Sequence, residues 1–341
     1  MRYHTPADVT HDWAETSFFS VYVPEANLTA WVYIIARPGV GAIVCDVEVI
    51  DGVGRYSLDA RYIDFQQHLP LPQNFESYSL PNGLTFKGHS IRNYQLDYIG
   101  VDDTELHWTV EGVMEPFDIH DPAMDPLAST DANASGFGAA YANHFDMTAR
   151  TTGTLKVRGK EYAIDCVTTM DHSWGPRGER GMRSMGWING NFSAKDAFQT
   201  IWTFNPLAPL AEQFALAHGY VIADGEVRGL TKGRIQAVDR SGPFPSGYEM
   251  EVEDAAGRKY RYTGKVVAQH PWPCYSCTFA KFSTVEWTDG SHIGHGLAQE
   301  NWPLDLADGK KASLPGPDRR SQSWSGDGLP VIQSCRALDR G

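Results

Sequence analysis

What most limits the fold of this chain is its punctuation. Apolar and polar residues alternate in short runs, and each run stops at a turn signal. Thr29–Arg37 is a β-branched and aromatic run that ends at Pro38-Gly39, and Gly41–Ile50 follows and ends at Asp51-Gly52. Pro-Gly and Asp-Gly between apolar runs are hairpin signals. The pattern continues through Gly83–Gly88, Asn93–Tyr98 and Glu105–Val113. No window with helical periodicity exceeds about three turns. Many short strands at regular spacing predict an all-β chain whose meanders close into barrels or sandwiches.

The length of 341 residues favours two domains. The second half carries its own version of the first. Gln199–Pro206 resembles the run from Trp31 to Pro38, Gly219–Val227 is a hairpin tipped by Asp224-Gly225, and Tyr248–Asp254 alternates strictly before turning at Ala256-Gly257. We expect β domains at about 1–180 and 181–341. A long loop interrupts the first at about 118–143, where Asp121-Pro122, Asp125-Pro126 and Ser135-Gly136-Phe137-Gly138 break any regular element. A lid and a plain surface excursion are both open readings of it.

Composition narrows the function. Hydrophobic residues are 42% and charged residues 21%, which excludes a disordered chain. The net charge of −13, with basic clusters no longer than pairs such as Lys310-Lys311, speaks against nucleic acid and anionic membranes. No apolar run is long enough to span a bilayer. The N-terminus has no apolar h-region, so a cytoplasmic location is expected. Five cysteines without an export signal read as reduced thiols. Aromatic residues reach 12%, suited to a packed β core and also to lining a pocket for an apolar ligand.

The densest chemistry lies in Met170-Asp171-His172-Ser173-Trp174-Gly175-Pro176-Arg177. In an extended strand, alternation sends His172 and Trp174 to one face and Asp171 and Ser173 to the other. A histidine beside a tryptophan in a dry setting is suited to proton transfer. A hydrogen-bonded cluster pinning two sheets together is the alternative reading.

These residues, with His144–Thr154 and Val157–Asp165 before them, resemble the tandem lipocalin-like (calycin-like) superfamily. That group includes AttH-like proteins, carotenoid 1,2-hydratases and lipocalin-like Diels–Alderases. The resemblance implies two successive lipocalin-like antiparallel β-barrels or half-barrels. It also implies a hydrophobic small-molecule pocket at their junction, faced by His172, with no metal or organic cofactor required. In the hydratase branch the motif histidine and tryptophan assist alkene protonation, and they correspond to His172 and Trp174. The further acidic and tyrosine positions of that branch have no clear match near Phe198–Ile201, which points away from carotenoid hydration and toward another substrate.

Other candidates surround the motif. His144, Arg150 and Asp165 are expected on adjoining strands, where they would supply an acid–base pair and a charged orienter. Trp187 and Asn189 are suited to walling the pocket and binding a substrate oxygen, and Arg177 adds a cation. Glu300 beside Trp302 is expected to be a carboxylic acid with a raised pKa. His292 and His295 lack a carboxylate at zincin spacing, and Cys274-Tyr275-Ser276-Cys277 is a lone pair of thiols, so no metal is expected. The expected function is a lyase or isomerase (a hydratase, dehydratase or cyclase) acting on a terpenoid, steroid-like or aromatic molecule. His172, Asp171, His144 and Glu300 would move protons, and Trp174, Arg177, Trp187, Asn189 and Trp302 would bind substrate. A non-catalytic carrier of an apolar ligand is the alternative, and a homodimer is compatible with either.

Overall fold

The computed structural model describes residues 3–129, 141–177, 184–275 and 278–304. The sheet that comes first contains β1 (Trp13–Val23), β2 (Leu28–Arg37), β3 (Ala42–Ile50), β4 (Tyr62–Pro70), β5 (Ser77–Ser79), β6 (Leu84–Gly88), β7 (Asn93–Ile99), β8 (Glu105–Gly112), β9 (Phe117–Asp118), β10 (Asn143–Val157) and β11 (Lys160–Pro176). Its order is β4-β3-β2-β1-β11-β10-β8-β7-β6-β5, with β9 paired to β10. It is an open half-barrel whose far regions meet through side chains: the Tyr98 hydroxyl on β7 donates to Asp64 Oδ2 on β4 at 2.8 Å.

A closed eight-stranded barrel follows, from β12 (Met185–Ser193) and β13 (Asp196–Phe204) through β14 (Phe214–Ala223), β15 (Glu226–Val238), β16 (Gly247–Asp254), β17 (Lys259–Trp272) and β18 (Thr278–Thr288) to β19 (Ile293–Pro303). The all-β, two-barrel reading therefore holds. The expected boundary at 180/181, residues 130–140 of the 118–143 loop and Cys277 lie outside the described residues.

Burial patterns show how the halves meet. Strands β7 and β8 alternate between buried and exposed residues, as a sheet with one wet face must. Strands β2 and β3 are buried almost without interruption, because one face looks into the half-barrel and the other packs on the closed barrel. Across that junction Phe18, Trp31 and Tyr33 meet Trp187, Trp272 and Phe282 with ring centroids 4.7–6.2 Å apart. On the inner face Phe19, Phe86, Tyr94 and Trp108 fill the half-barrel. The described part of the long loop is also docked: buried Asp125 lies 2.6 Å from His218 Nδ1 on β14.

Candidate functional site

β11 runs between β1 and β10, so each motif residue has two neighbours fixed by register. Asp171 lies opposite Phe18 on β1 and Asp146 on β10, and His172 lies opposite Ser17 and Phe145. Alternation splits the motif as expected, and this places its groups in two separate clusters. Gly175, at φ 152°, takes a backbone conformation that side chains disfavour, and the chain then continues to Arg177.

The cluster facing the closed barrel is built on Asp171, His144 and Arg177. His144 Nε2 lies 3.1 Å from Asp146 Oδ2, and Asp146 Oδ1 accepts from Trp187 Nε1 at 2.8 Å. Arg177 Nη2 donates to Ser173 Oγ at 2.6 Å and Nη1 to the Tyr275 hydroxyl at 3.0 Å. That hydroxyl is 2.9 Å from the Tyr33 hydroxyl, and the guanidinium carbon sits 4.6 Å from the centre of the Tyr141 ring. Burial pushes the Asp171 carboxyl up to about 7; His144 and Arg177 oppose the rise and Asp146 adds to it. Burial by itself depresses the His144 imidazole, but the Asp146 carboxylate outweighs it and the net shift is upward. Burial also pushes the Tyr33 and Tyr141 phenols up, which keeps them as neutral donors. Two polar atoms here, Asp171 Oδ1 and His144 Nδ1, are sealed from water and have no hydrogen-bond partner among the described residues. Such atoms are costly unless a ligand completes them.

The other cluster looks into the half-barrel. His172 is 1% exposed, with Nδ1 2.9 Å from Ser17 Oγ and Nε2 3.3 Å from Glu15 Oε1. Glu15 also takes His4 Nδ1 at 2.8 Å and the His4 backbone N–H at 2.9 Å, and the His4 ring stacks on Trp174 at 3.7 Å. Burial alone would raise Glu15, but the neighbouring His172 and His4 imidazoles hold its carboxyl at about 2. Burial pulls the His172 imidazole down against the opposing pull of Glu15. The ligand atoms of His4, Glu15 and His172 all lie within 4.8 Å of one another.

Two expectations need correcting. His172 does not face the junction; the pleat turns it inward, and Asp171 takes the junction side, so the two cannot act as one proton-moving pair. Glu300 is no raised-pKa acid. Inside the closed barrel its carboxylate accepts from Arg240 at 2.8 and 2.9 Å, from the Tyr248 hydroxyl at 2.7 Å and from Lys281 at 3.1 Å. Lys281 and Arg240 hold it at about 2 against the upward push of burial, and burial pushes the Lys281 ammonium down to about 8. Trp302, whose Nε1 is 3.3 Å from Glu300 Oε2, belongs to that interior cluster.

The remaining candidates divide. Trp187 joins the junction cluster, while Asn189 lies farther along β12 with its oxygen already accepting from Asn191 Nδ2 and the Leu297 N–H. Arg150 and Asp165 form an exposed bidentate pair at 2.7 Å and reach no cavity with His172. Sequence reasoning did not single out Tyr33, Tyr141, Asp146 or Tyr275. Asp146, two residues from His144 on one strand face, left a readable signal; the tyrosines did not, since each comes from a different element.

A family described as a domain of unknown function, DUF7064, matches residues 2–304. The chain belongs to that family. Among curated proteins none matches the DUF7064 chain in sequence. Among solved structures it is similar to kievitone hydratase from Nectria haematococca, at 13% identity and TM-score 0.52, covering 87% of this chain and 90% of that one. It is also similar to a putative AttH from Nitrosomonas europaea, at 12% identity and TM-score 0.50, covering 85% and 91%. The DUF7064 chain thus has the tandem lipocalin-like architecture that the motif implies.

Proposed function

We propose that the protein is a lyase or isomerase that works by proton transfer on a hydrophobic small molecule bearing an oxygen function, held at the junction of half-barrel and barrel. The observation that carries this reading is the convergence of Asp171 Oδ1 and His144 Nδ1, both without partners, beside the Arg177–Tyr275–Tyr33 chain of donors. Asp146 orients the imidazole from behind and favours its protonated form, so Nδ1–H is aimed outward as a general acid. Asp171 is the complementary base. Arg177 and the tyrosines bind the substrate oxygen, and Trp187 with Phe18 offers π faces to cationic character in the hydrocarbon. In a hydration, His144 protonates the alkene carbon while Asp171 takes a proton from the attacking water; dehydration runs the same steps in reverse. One structural neighbour is by name a hydratase, which supports this class of reaction.

The test uses kievitone and a panel of apolar phenols carrying alkenyl chains, incubated with the protein in ¹⁸O-water and analysed by mass spectrometry. Addition of one labelled water is expected. Asp171→Asn and His144→Ala should each lower turnover by about 100-fold or more. Turnover that survives both substitutions overturns the assignment, and saturable binding without turnover across the panel would instead identify a carrier.

A further inference from the structure

We propose that His4, Glu15 and His172 form a binding site for one divalent transition-metal ion of the zinc type. The site lies on the inner face of the half-barrel and is separate from the junction cluster, so it does not depend on the proposed reaction. Three unlike elements supply it: the segment before β1, β1 itself and β11.

The geometry suits a metal better than a plain hydrogen-bond network. Ser17 Oγ occupies His172 Nδ1 at 2.9 Å, which leaves Nε2 3.3 Å from Glu15 Oε1 and without a hydrogen bond among the described residues, on a side chain only 1% exposed. Oε1 already serves His4 Nδ1 at 2.8 Å. Ligands about 2.0–2.1 Å from a tetrahedral zinc stand roughly 3.3 Å apart. The two contacts to Oε1, at 2.8 and 3.3 Å, are near that spacing. Outer contacts fix each ligand as metal sites require: Ser17 on His172, the His4 backbone N–H on Glu15 Oε2 at 2.9 Å, and Trp174 stacked on His4. Two imidazoles and one carboxylate select zinc-like ions over magnesium or calcium, which favour all-oxygen sets. The His4 side chain is 39% exposed, which gives an ion a path from solvent and leaves a fourth position for water.

A bound ion would tie the residues before β1 to the sheet. Because His4 is partly exposed and outside any strand, its removal should spare the fold, which makes it the useful variant. Tag-free protein, dialysed against chelator, is titrated with Zn²⁺ by calorimetry and with Co²⁺ by visible absorption. One equivalent per chain is expected, together with cobalt d–d bands of four- or five-coordinate character. His4→Ala should weaken affinity by about tenfold or more and abolish those bands, with near-ultraviolet circular dichroism unchanged. Glu15→Gln should do the same wherever it folds. Failure of the wild type to take up one equivalent at micromolar Zn²⁺ overturns the proposal. So does unchanged affinity in His4→Ala, which would place the ion elsewhere.

Discussion

The barrel interior and the junction both bury charged groups, and they do so in opposite ways. Inside the barrel, both Glu300 oxygens are occupied by Arg240, Lys281, Tyr248 and Trp302, one carboxylate serving two cations, although Arg240 Nε has no hydrogen bond among the described residues. At the junction, Arg177 and Asp146 are similarly bonded, but Asp171 Oδ1 and His144 Nδ1 are left without partners. A closed network fixes one structure, whereas an incomplete one stores binding capacity for whatever completes it. On the proposed reading, the barrel cluster is architecture and the junction cluster is the place for chemistry.

The largest effect should come from the closed network. Glu300→Gln leaves Lys281 and Arg240 buried without a counter-charge, which costs about 3–5 kcal/mol. Urea denaturation should show that loss, while turnover per folded molecule stays at the wild-type level. A loss below about 1 kcal/mol would remove the structural role assigned to Glu300. Asp171→Asn should give the mirror result, with stability within about 1 kcal/mol of wild type and turnover gone, since Oδ1 has no hydrogen bond to lose among the described residues. If its melting temperature fell as far as that of Glu300→Gln, the two clusters would not differ in kind.

How much of this was legible in sequence depends on the range of the interaction. The β-branched and aromatic run of β2 and the alternation of Glu105–Val113 were already readable as strands, each closed by its turn signal. The split of His172 from Asp171 was equally plain, because it needs only the two-residue period of a strand. What stayed hidden was set by register between distant strands. Glu15 meets His172 only because β1 pairs with β11, and Arg240 and Lys281 meet Glu300 only across a closed barrel. Local pattern carries no record of such pairings, so Glu300 looked like a carboxyl facing one tryptophan alone.

A third buried cluster tests the comparison through pH. Asp46 and Glu48, both fully buried, sit where β3 packs on the barrel. Asp46 Oδ2 accepts from Trp31 Nε1 at 3.1 Å and Trp272 Nε1 at 2.6 Å, while both Glu48 oxygens lack partners, with His270 Nδ1 3.6 Å away. Burial pushes Asp46 up to about 7, opposed by the two indoles, and burial with the Asp46 charge pushes Glu48 well up. A carboxyl whose folded pKa is raised favours the fold while protonated. Its contribution is complete below the ordinary carboxyl value near 4 and is lost as pH rises through 7. Asp46→Asn keeps the neutral shape at all pH, so its melting temperature should exceed that of wild type at pH 8 and match it at pH 5. The gain expected for about 1 kcal/mol is roughly 2–4 °C. An equal difference at both pH values would show that Asp46 is not the titrating group.

The smallest effect belongs to the exposed pair. Arg150 and Asp165 have ideal bidentate geometry, yet water surrounds both, so Coulomb attraction is screened and side-chain entropy opposes what remains. Arg150→Ala should leave the melting temperature and turnover indistinguishable from wild type. It lies on β10, the strand that also carries His144 and Asp146, so a measurable loss of turnover would mean that strand position, and not the unpartnered atoms, governs the junction chemistry.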